Sequence, residues 1–215
     1  MTRIYIANIH QFIPQNGIDL VTTARRERIG RYQRHEDKAR CLLAGLLLRK
    51  ICGVTDDSQL IYGENGKPYL KNSDTYFNIS HSGDYVILAT AESEVGVDIE
   101  KMDAFSDKVA ARCFTPLECE WMKQEGDNKA FYRLWAAKES VMKASGLGFS
   151  LPPNSFCVLP VENLSEHQIG GRLWVLDWLI HDGYIICCAV ENGTGRAGGV
   201  KMIMVKSVEG DALSP

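Results

Sequence analysis

The 215-residue sequence contains no Cys-x-x-Cys pair, no P-loop, no glycine-rich dinucleotide fingerprint and no His-Glu-x-x-His, which removes the function classes those motifs mark. Long apolar runs are missing too: the longest, Leu42 to Leu48, falls far short of the roughly 20 residues that span a bilayer, and reads as a core helix. The first residues, Met1 to Ala7, alternate like a strand and lack the apolar region and small-residue cleavage site of a signal peptide, so a cytosolic protein is expected. Positive charge is not in excess. A net charge of −3 and a pI near 6.0 leave no global field to hold nucleic acid or an anionic membrane, so any anion site must be local. The seven cysteines match no zinc or disulfide spacing and are expected as reduced, mostly buried thiols.

What is present is enough apolar residue, 45%, to build a core. A strand is expected over Arg3–Asn8 and a helix from Glu36 to Ile51, where Leu42, Leu43, Leu46, Leu47 and Ile51 recur at helical spacing and Gly53 supplies the stop. Short strands follow around 69–71, 77–81 and 85–92, with Ser82-Gly83-Asp84 as a hairpin turn. Residues 94–100 alternate apolar and polar and read as a half-buried strand. After Met102 the pattern turns helical, near 106–113, from Thr115-Pro116 onward, and over 128–144. Strands return at 173–180, 184–190 and 200–206. This order predicts an α+β fold with antiparallel sheets and packed helices rather than a wound parallel sheet. The expected division is an N-terminal half, 1–102, a C-terminal half, 103–208, and a flexible tail, 209–215.

The sharpest chemical signal is Gly96-Val97-Asp98-Ile99-Glu100. Residues two apart on a strand project to one side, so Asp98 and Glu100 face a common point while Val95, Val97 and Ile99 face the core. Such a pair suits a hard, oxygen-seeking cation such as Mg²⁺; the plainer alternative is two surface acids on a solvated strand. In Leu134 to Lys143, Glu139 and Lys143 stand four apart on a helix whose apolar stripe runs through Phe131, Leu134, Trp135 and Met142. Spacing alone also permits an ordinary surface ion pair. Were this helix to dock on the Asp98 strand, Glu139 would add a third oxygen and Lys143 would neutralise a phosphate, the usual equipment of phosphoryl transfer. Lys138 falls on the apolar stripe and is expected to snorkel. Arg25, Arg26, Arg28, Arg31, Arg34 and Arg40 form a local basic cluster suited to phosphate oxygens, although Glu27, Glu36 and Asp37 are interleaved. Ser80 and His81 sit at a strand end before a glycine turn, and Gly66-Lys67-Pro68 reads as a turn.

Taken in order, Gly66-Lys67-Pro68, Phe77-Asn78-Ile79-Ser80-His81-Ser82, Gly96 to Glu100 and Trp135 to Lys143 resemble the larger, monomeric (Sfp-type) class of 4′-phosphopantetheinyl transferases. The resemblance implies two similar α+β halves related by pseudo-twofold symmetry with coenzyme A in the cleft between them. It implies a Mg²⁺ held by Asp98, Glu100 and Glu139 beside the coenzyme A pyrophosphate, which Lys143 contacts. Catalysis would rest on Glu139, Asp98 and Lys143, with Arg25, Arg28 and Arg40 near the 3′-phosphate and Lys67, Ser80 and His81 as further coenzyme A contacts. Cys41 stands where some relatives carry a hydroxyl residue. The implied reaction transfers phosphopantetheine to a serine of an apo acyl or peptidyl carrier protein and releases 3′,5′-ADP, with no nucleic-acid or membrane partner. The residues alone also fit a Mg²⁺-dependent phosphohydrolase, or a coenzyme A- or nucleotide-binding module without catalysis.

Overall fold

Alternation at the start of the chain yields β1 (Arg3–Asn8), followed by helices α1 (Thr23–Arg31) and α2 (His35–Cys52). Thr22 caps α1 through its hydroxyl, and Gly53, at φ 69°, ends α2 in the left-handed conformation a side chain would resist. The chain continues through β2 (Leu60–Tyr62), β3 (Pro68–Leu70), β4 (Tyr76–Ser82), β5 (Tyr85–Ala91) and β6 (Val95–Lys101). Then come α3 (Asp107–Cys113), α4 (Pro116–Glu125) and α5 (Asn128–Ser145), and finally β7 (Ser165–Ile169), β8 (Arg172–His181), β9 (Tyr184–Glu191) and β10 (Lys201–Met204). The computed structural model describes residues 1–11, 17–103, 107–193 and 199–205; Ser106 and the tail expected at 209–215 lie outside them. No helix among the described residues is long and apolar enough to cross a membrane.

The strands form two four-stranded sheets, ordered β10-β1-β5-β4 and β6-β9-β8-β7, with β2-β3 as a separate hairpin. Three apolar layers hold them. Tyr5, Ala7 and Leu88 on one face of the first sheet pack against Leu43, Leu46 and Leu47 of α2. The opposite face, through Ile4, Ile6, Ile87 and Ala89, meets Val95, Val97 and Ile99 of β6 and Ile186 and Cys188 of β9. The far face of the second sheet, with Trp174, Leu176, Ile185 and Cys187, is covered by α5 through Leu134, Ala137, Val141 and Ala144. All seven cysteines are free, and of these Cys41, Cys187 and Cys188 are buried.

The α+β class with antiparallel pairing is as expected, with β1–β10 a parallel pair. Three expectations change. The seam does not fall at 101–103, because β6 pairs with β9 along its whole length, from Val95↔Val190 to Lys101↔Tyr184. The sheets therefore part between β5 and β6, and β10 leaves the second half to join β1; such partners are chosen by long-range pairing, which local pattern does not encode. The strand at 94–100 is buried on both faces over Val95–Ile99, since α5 covers the face that carries its polar residues. Lys138 does not snorkel: its side chain and that of Glu118 are both fully buried as an ion pair at 2.8 Å.

Candidate active site

Helix α5 owes its length to continuous good helix formers between two caps, Asp127, whose Oδ1 accepts the Ala130 N–H at 3.0 Å, and Gly146 at φ 71°. It lies on β6 unusually closely at Gly96. A Cβ there would stand 2.0 Å from the Ser140 carbonyl oxygen and 2.3 Å from the Ala144 nitrogen, so only glycine permits this approach. The contact sets Glu139 and Lys143 over the Asp98 face of β6.

Lys143 joins the two elements. Its ammonium donates to Asp98 Oδ1 at 2.5 Å, to Ser80 Oγ at 3.1 Å, and lies 3.2 Å from Glu139 Oε2. Carboxylates from a strand and from a helix 41 positions later thus meet on one ammonium. Glu100, further along β6, accepts Trp135 Nε1–H at 3.1 Å and the Ser82 hydroxyl at 3.3 Å. Asp98 is 2% exposed, and its Oδ2 is buried without a hydrogen-bond partner.

The electrostatics are unbalanced. Burial, despite the opposing charge of Lys143, pushes Asp98 up to about 6, with Glu139 adding to the rise. Burial and the neighbouring Asp98 charge push Glu100 up to about 7. Burial works against the charged form of Lys143, but Asp98 and Glu139 outweigh it and raise the ammonium above its ordinary value. Three carboxyl groups face one ammonium, so a further cation would relieve the site. Among the described residues no three His, Cys, Asp or Glu side chains stand ready to hold a metal ion, because Lys143 occupies the ground between Asp98 and Glu139. The donor chemistry nonetheless fits a hard divalent cation: oxygen ligands only, one of them buried and unpartnered.

Strand β4 aims the acids. Asn78, Ser80 and Ser82 alternate on one side of it, and their side-chain oxygens accept the N–H groups of Val97, Ile99 and Lys101 at 3.0, 3.4 and 3.1 Å. This polar ladder joins β4 to the edge of β6 that does not pair with β9. Ser80 Oγ also donates to Asp98 Oδ1 at 2.8 Å, so its hydroxyl holds the acid in place.

Beside the acids runs a basic groove. A hollow of about 220 Å³ is lined by Arg25, Arg28, Tyr32, Cys41, Asn78, and His81 among others, and one of about 390 Å³ shares Arg25, Arg28, Pro68 and Ile79 with it and adds Arg31 and Gly66. Arg25 and Arg28 come from α1, a helix concealed in the sequence by its many arginines. Arg25 Nη1 reaches Cys41 Sγ at 3.9 Å. Desolvation first, then Arg40 and Lys143, lower the His81 imidazole below its ordinary value.

Two further residues expected to contact coenzyme A, Lys67 and Arg40, have partners within the protein. Lys67 is buried, and its ammonium donates to Glu94 Oε2 at 2.5 Å, Ala144 O at 2.7 Å and Val95 O at 3.2 Å. Its three donors all have partners within the protein. Arg40 gives Nη1 to Gly83 O at 2.7 Å and Nη2 to Asp37 Oδ1 at 2.5 Å, which ties α2 to the β4–β5 turn and leaves it less free than Arg25 or Arg28.

Comparison with known proteins decides the family. Residues 94–189 match the 4′-phosphopantetheinyl transferase superfamily, and residues 15–93 match the 4′-phosphopantetheinyl transferase N-terminal family. The chain is 36% identical over 150 residues to the 4′-phosphopantetheinyl transferase Sfp of Bacillus subtilis strain 168, covering 66% of this chain and 67% of that protein. The chain belongs to the 4′-phosphopantetheinyl transferase family. Another Bacillus subtilis 4′-phosphopantetheinyl transferase is 37% identical over 64% of this chain and 66% of its own length. A putative 4′-phosphopantetheinyl transferase of Haemophilus influenzae is 31% identical over 79% and 74%. The match thus spans about two thirds of Sfp, a little under two thirds of the second Bacillus subtilis protein and about three quarters of the Haemophilus influenzae protein. In this chain the sequence also carries three site residues that its motifs did not single out, Asn78, Ser82 and Trp135. Each carried a signal: Asn78 and Ser82 stand two residues either side of Ser80 on one strand, and Trp135 stands four before Glu139 on one helix.

Proposed function

We propose that this chain transfers the 4′-phosphopantetheine group of coenzyme A to a serine of an apo acyl or peptidyl carrier protein, releasing 3′,5′-ADP. The observation that carries the reading is the meeting of Asp98 and Glu139 on Lys143, which also donates to Ser80, on the strand whose Asn78 and His81 help line an arginine-bearing groove. In this reading Arg25, Arg28 and His81 hold the 3′-phosphate end of coenzyme A in the groove, and the pyrophosphate reaches Lys143. Asp98, Glu100 and Glu139 would hold Mg²⁺, which when bound supplies positive charge beside the pyrophosphate.

The carrier serine hydroxyl attacks the β-phosphorus. Glu139, the more exposed acid on Lys143, takes its proton, the new P–O bond forms, and the bond to the oxygen bridging the α-phosphorus breaks. That oxygen leaves on 3′,5′-ADP, and Lys143 offsets the charge that gathers on it. The carrier docks on exposed apolar residues such as Val109 and Leu117, 43% and 66% accessible.

The finer architecture follows the same reading. In each half the first strand (β1, β6) pairs antiparallel with the last of a hairpin (β5, β9), whose partner (β4, β8) lies beyond it. We read this correspondence as a pseudo-twofold relation between halves that part between β5 and β6, in a cytoplasmic monomer.

Intact-mass measurement of apo carriers incubated with the protein, coenzyme A and Mg²⁺ tests the function: each modified serine gains about 340 Da. Phosphopantetheine released into solution without a protein acceptor would instead mark a phosphohydrolase, and retention on immobilised 3′,5′-ADP with no turnover would mark a binding module.

A further inference from the structure

Lys67 lies on the turn between β2 and β3, flanked by Gly66 and Pro68, which line the basic groove. Its side chain points the other way. The ammonium takes the Ala144 carbonyl in the last turn of α5 and the Val95 carbonyl at the start of β6, and is neutralised by Glu94. A helix C-terminus presents unpaired carbonyls and partial negative charge, which a buried cation satisfies. Ala144 adjoins Lys143, and Val95 lies three residues before Asp98. The same hairpin adds Tyr69, whose hydroxyl donates to Glu94 Oε1 at 3.2 Å and stands 3.3 Å from where a Cβ on Gly146 would be. Besides these contacts the end of α5 meets β6 through the bare Gly96 backbone and the Lys143–Asp98 ion pair.

We infer that Lys67 is a positioning residue: it clasps the last turn of α5 to β6 and so fixes Glu139 and Lys143 against Asp98 and Glu100. The clasp rests on the transferase reading only for its kinetic consequence. Its position also places the groove wall and the acid pair on one support.

The test is Lys67→Met, which keeps the stem and removes the three donors, in the full chain. Turnover with an apo carrier is expected to fall about tenfold to a hundredfold, as for a small displacement of reacting groups. The KM for coenzyme A and the calorimetric Kd for 3′,5′-ADP should change less than about threefold, since no ligand contact is lost. Lys67→Arg should recover part of the turnover. A Kd for 3′,5′-ADP raised tenfold or more with turnover kept would overturn the clasp and make Lys67 an anion ligand; turnover and Kd both unchanged would overturn it as well. If Lys67→Met fails to fold, Glu94→Gln should show the same split with a smaller loss, and normal turnover in that variant counts against the proposal. Hydrogen exchange separates this idea from the function itself. Amides of residues 142–146 should exchange faster in Lys67→Met whether or not the wild-type chain transfers anything, and wild-type protection there overturns the clasp.

Discussion

Two lysines five residues apart on α5 are both held by carboxylates, and the two sites are finished differently. Lys138 is closed on all sides: Glu118 at 2.8 Å and the carbonyls of Pro153 and Phe156 at 2.7 and 2.6 Å take its protons. Glu118 in turn accepts the Val158 N–H and both donors of Thr115, the residue it reciprocally caps at the start of α4. Lys143 sits in the opposite condition, with an unpartnered oxygen on Asp98, two carboxyl groups pushed up, and a groove beside it. A buried polar network that satisfies every atom stabilises one arrangement, whereas one left short of partners is a site that a ligand completes.

The comparison breaks first at Asp98. Asp98→Ala should cut transfer by at least about a thousandfold, near 4 kcal/mol of barrier, with a melting temperature close to wild type because an unfavourably buried charge is removed. Turnover retained in that variant would place the chemistry elsewhere. Lys138→Met should behave inversely. It leaves Glu118 buried without its cation and should destabilise by about 3 kcal/mol or more, while kcat per folded molecule at low temperature stays within about twofold; denaturant titration paired with active-site counting reads both numbers. Ser82→Ala removes one of the two donors on Glu100 and should lower kcat about tenfold with the KM for coenzyme A little changed.

The smallest effect is in pH. Asp98 and Glu100 have folded values, about 6 and 7, above their ordinary 3.8 and 4.5, so between those limits the folded state binds more protons than the unfolded. Their contribution to stability is therefore full at low pH and lost as pH rises toward 7. Comparing melting temperatures at pH 5 and pH 8 in chelator, wild type should lose a few degrees more than Asp98→Asn/Glu100→Gln. Excess Mg²⁺ should remove that difference at pH 8, and equal pH responses with and without the two acids would contradict the shifts.

The sequence was most readable where a local rule had one solution. The strand at 94–100 and the helix at 128–144 lie within a residue of β6 and α5, and the same-face pairs Asp98/Glu100 and Glu139/Lys143 follow from periods of two and 3.6. What stayed hidden depends on partners far along the chain. Lys138 looks like any long cation on an apolar stripe until Glu118 arrives from α4, and the turn at Lys67 gives no sign of the end of α5 that is laid beside it. The return of β10 to β1 has no local signature at all. Composition misled at 23–31, where arginines mask a helix whose hydroxyl cap, Thr22, was present in the sequence.

At Gly96 the spacing between α5 and β6 is a main-chain dimension, with no side chain at that point to swell or slip. Core substitutions in the second half, such as truncation of Trp174 or Phe131, would then produce heat-labile enzyme whose surviving molecules work at full speed: fewer active copies, each of them correctly tuned.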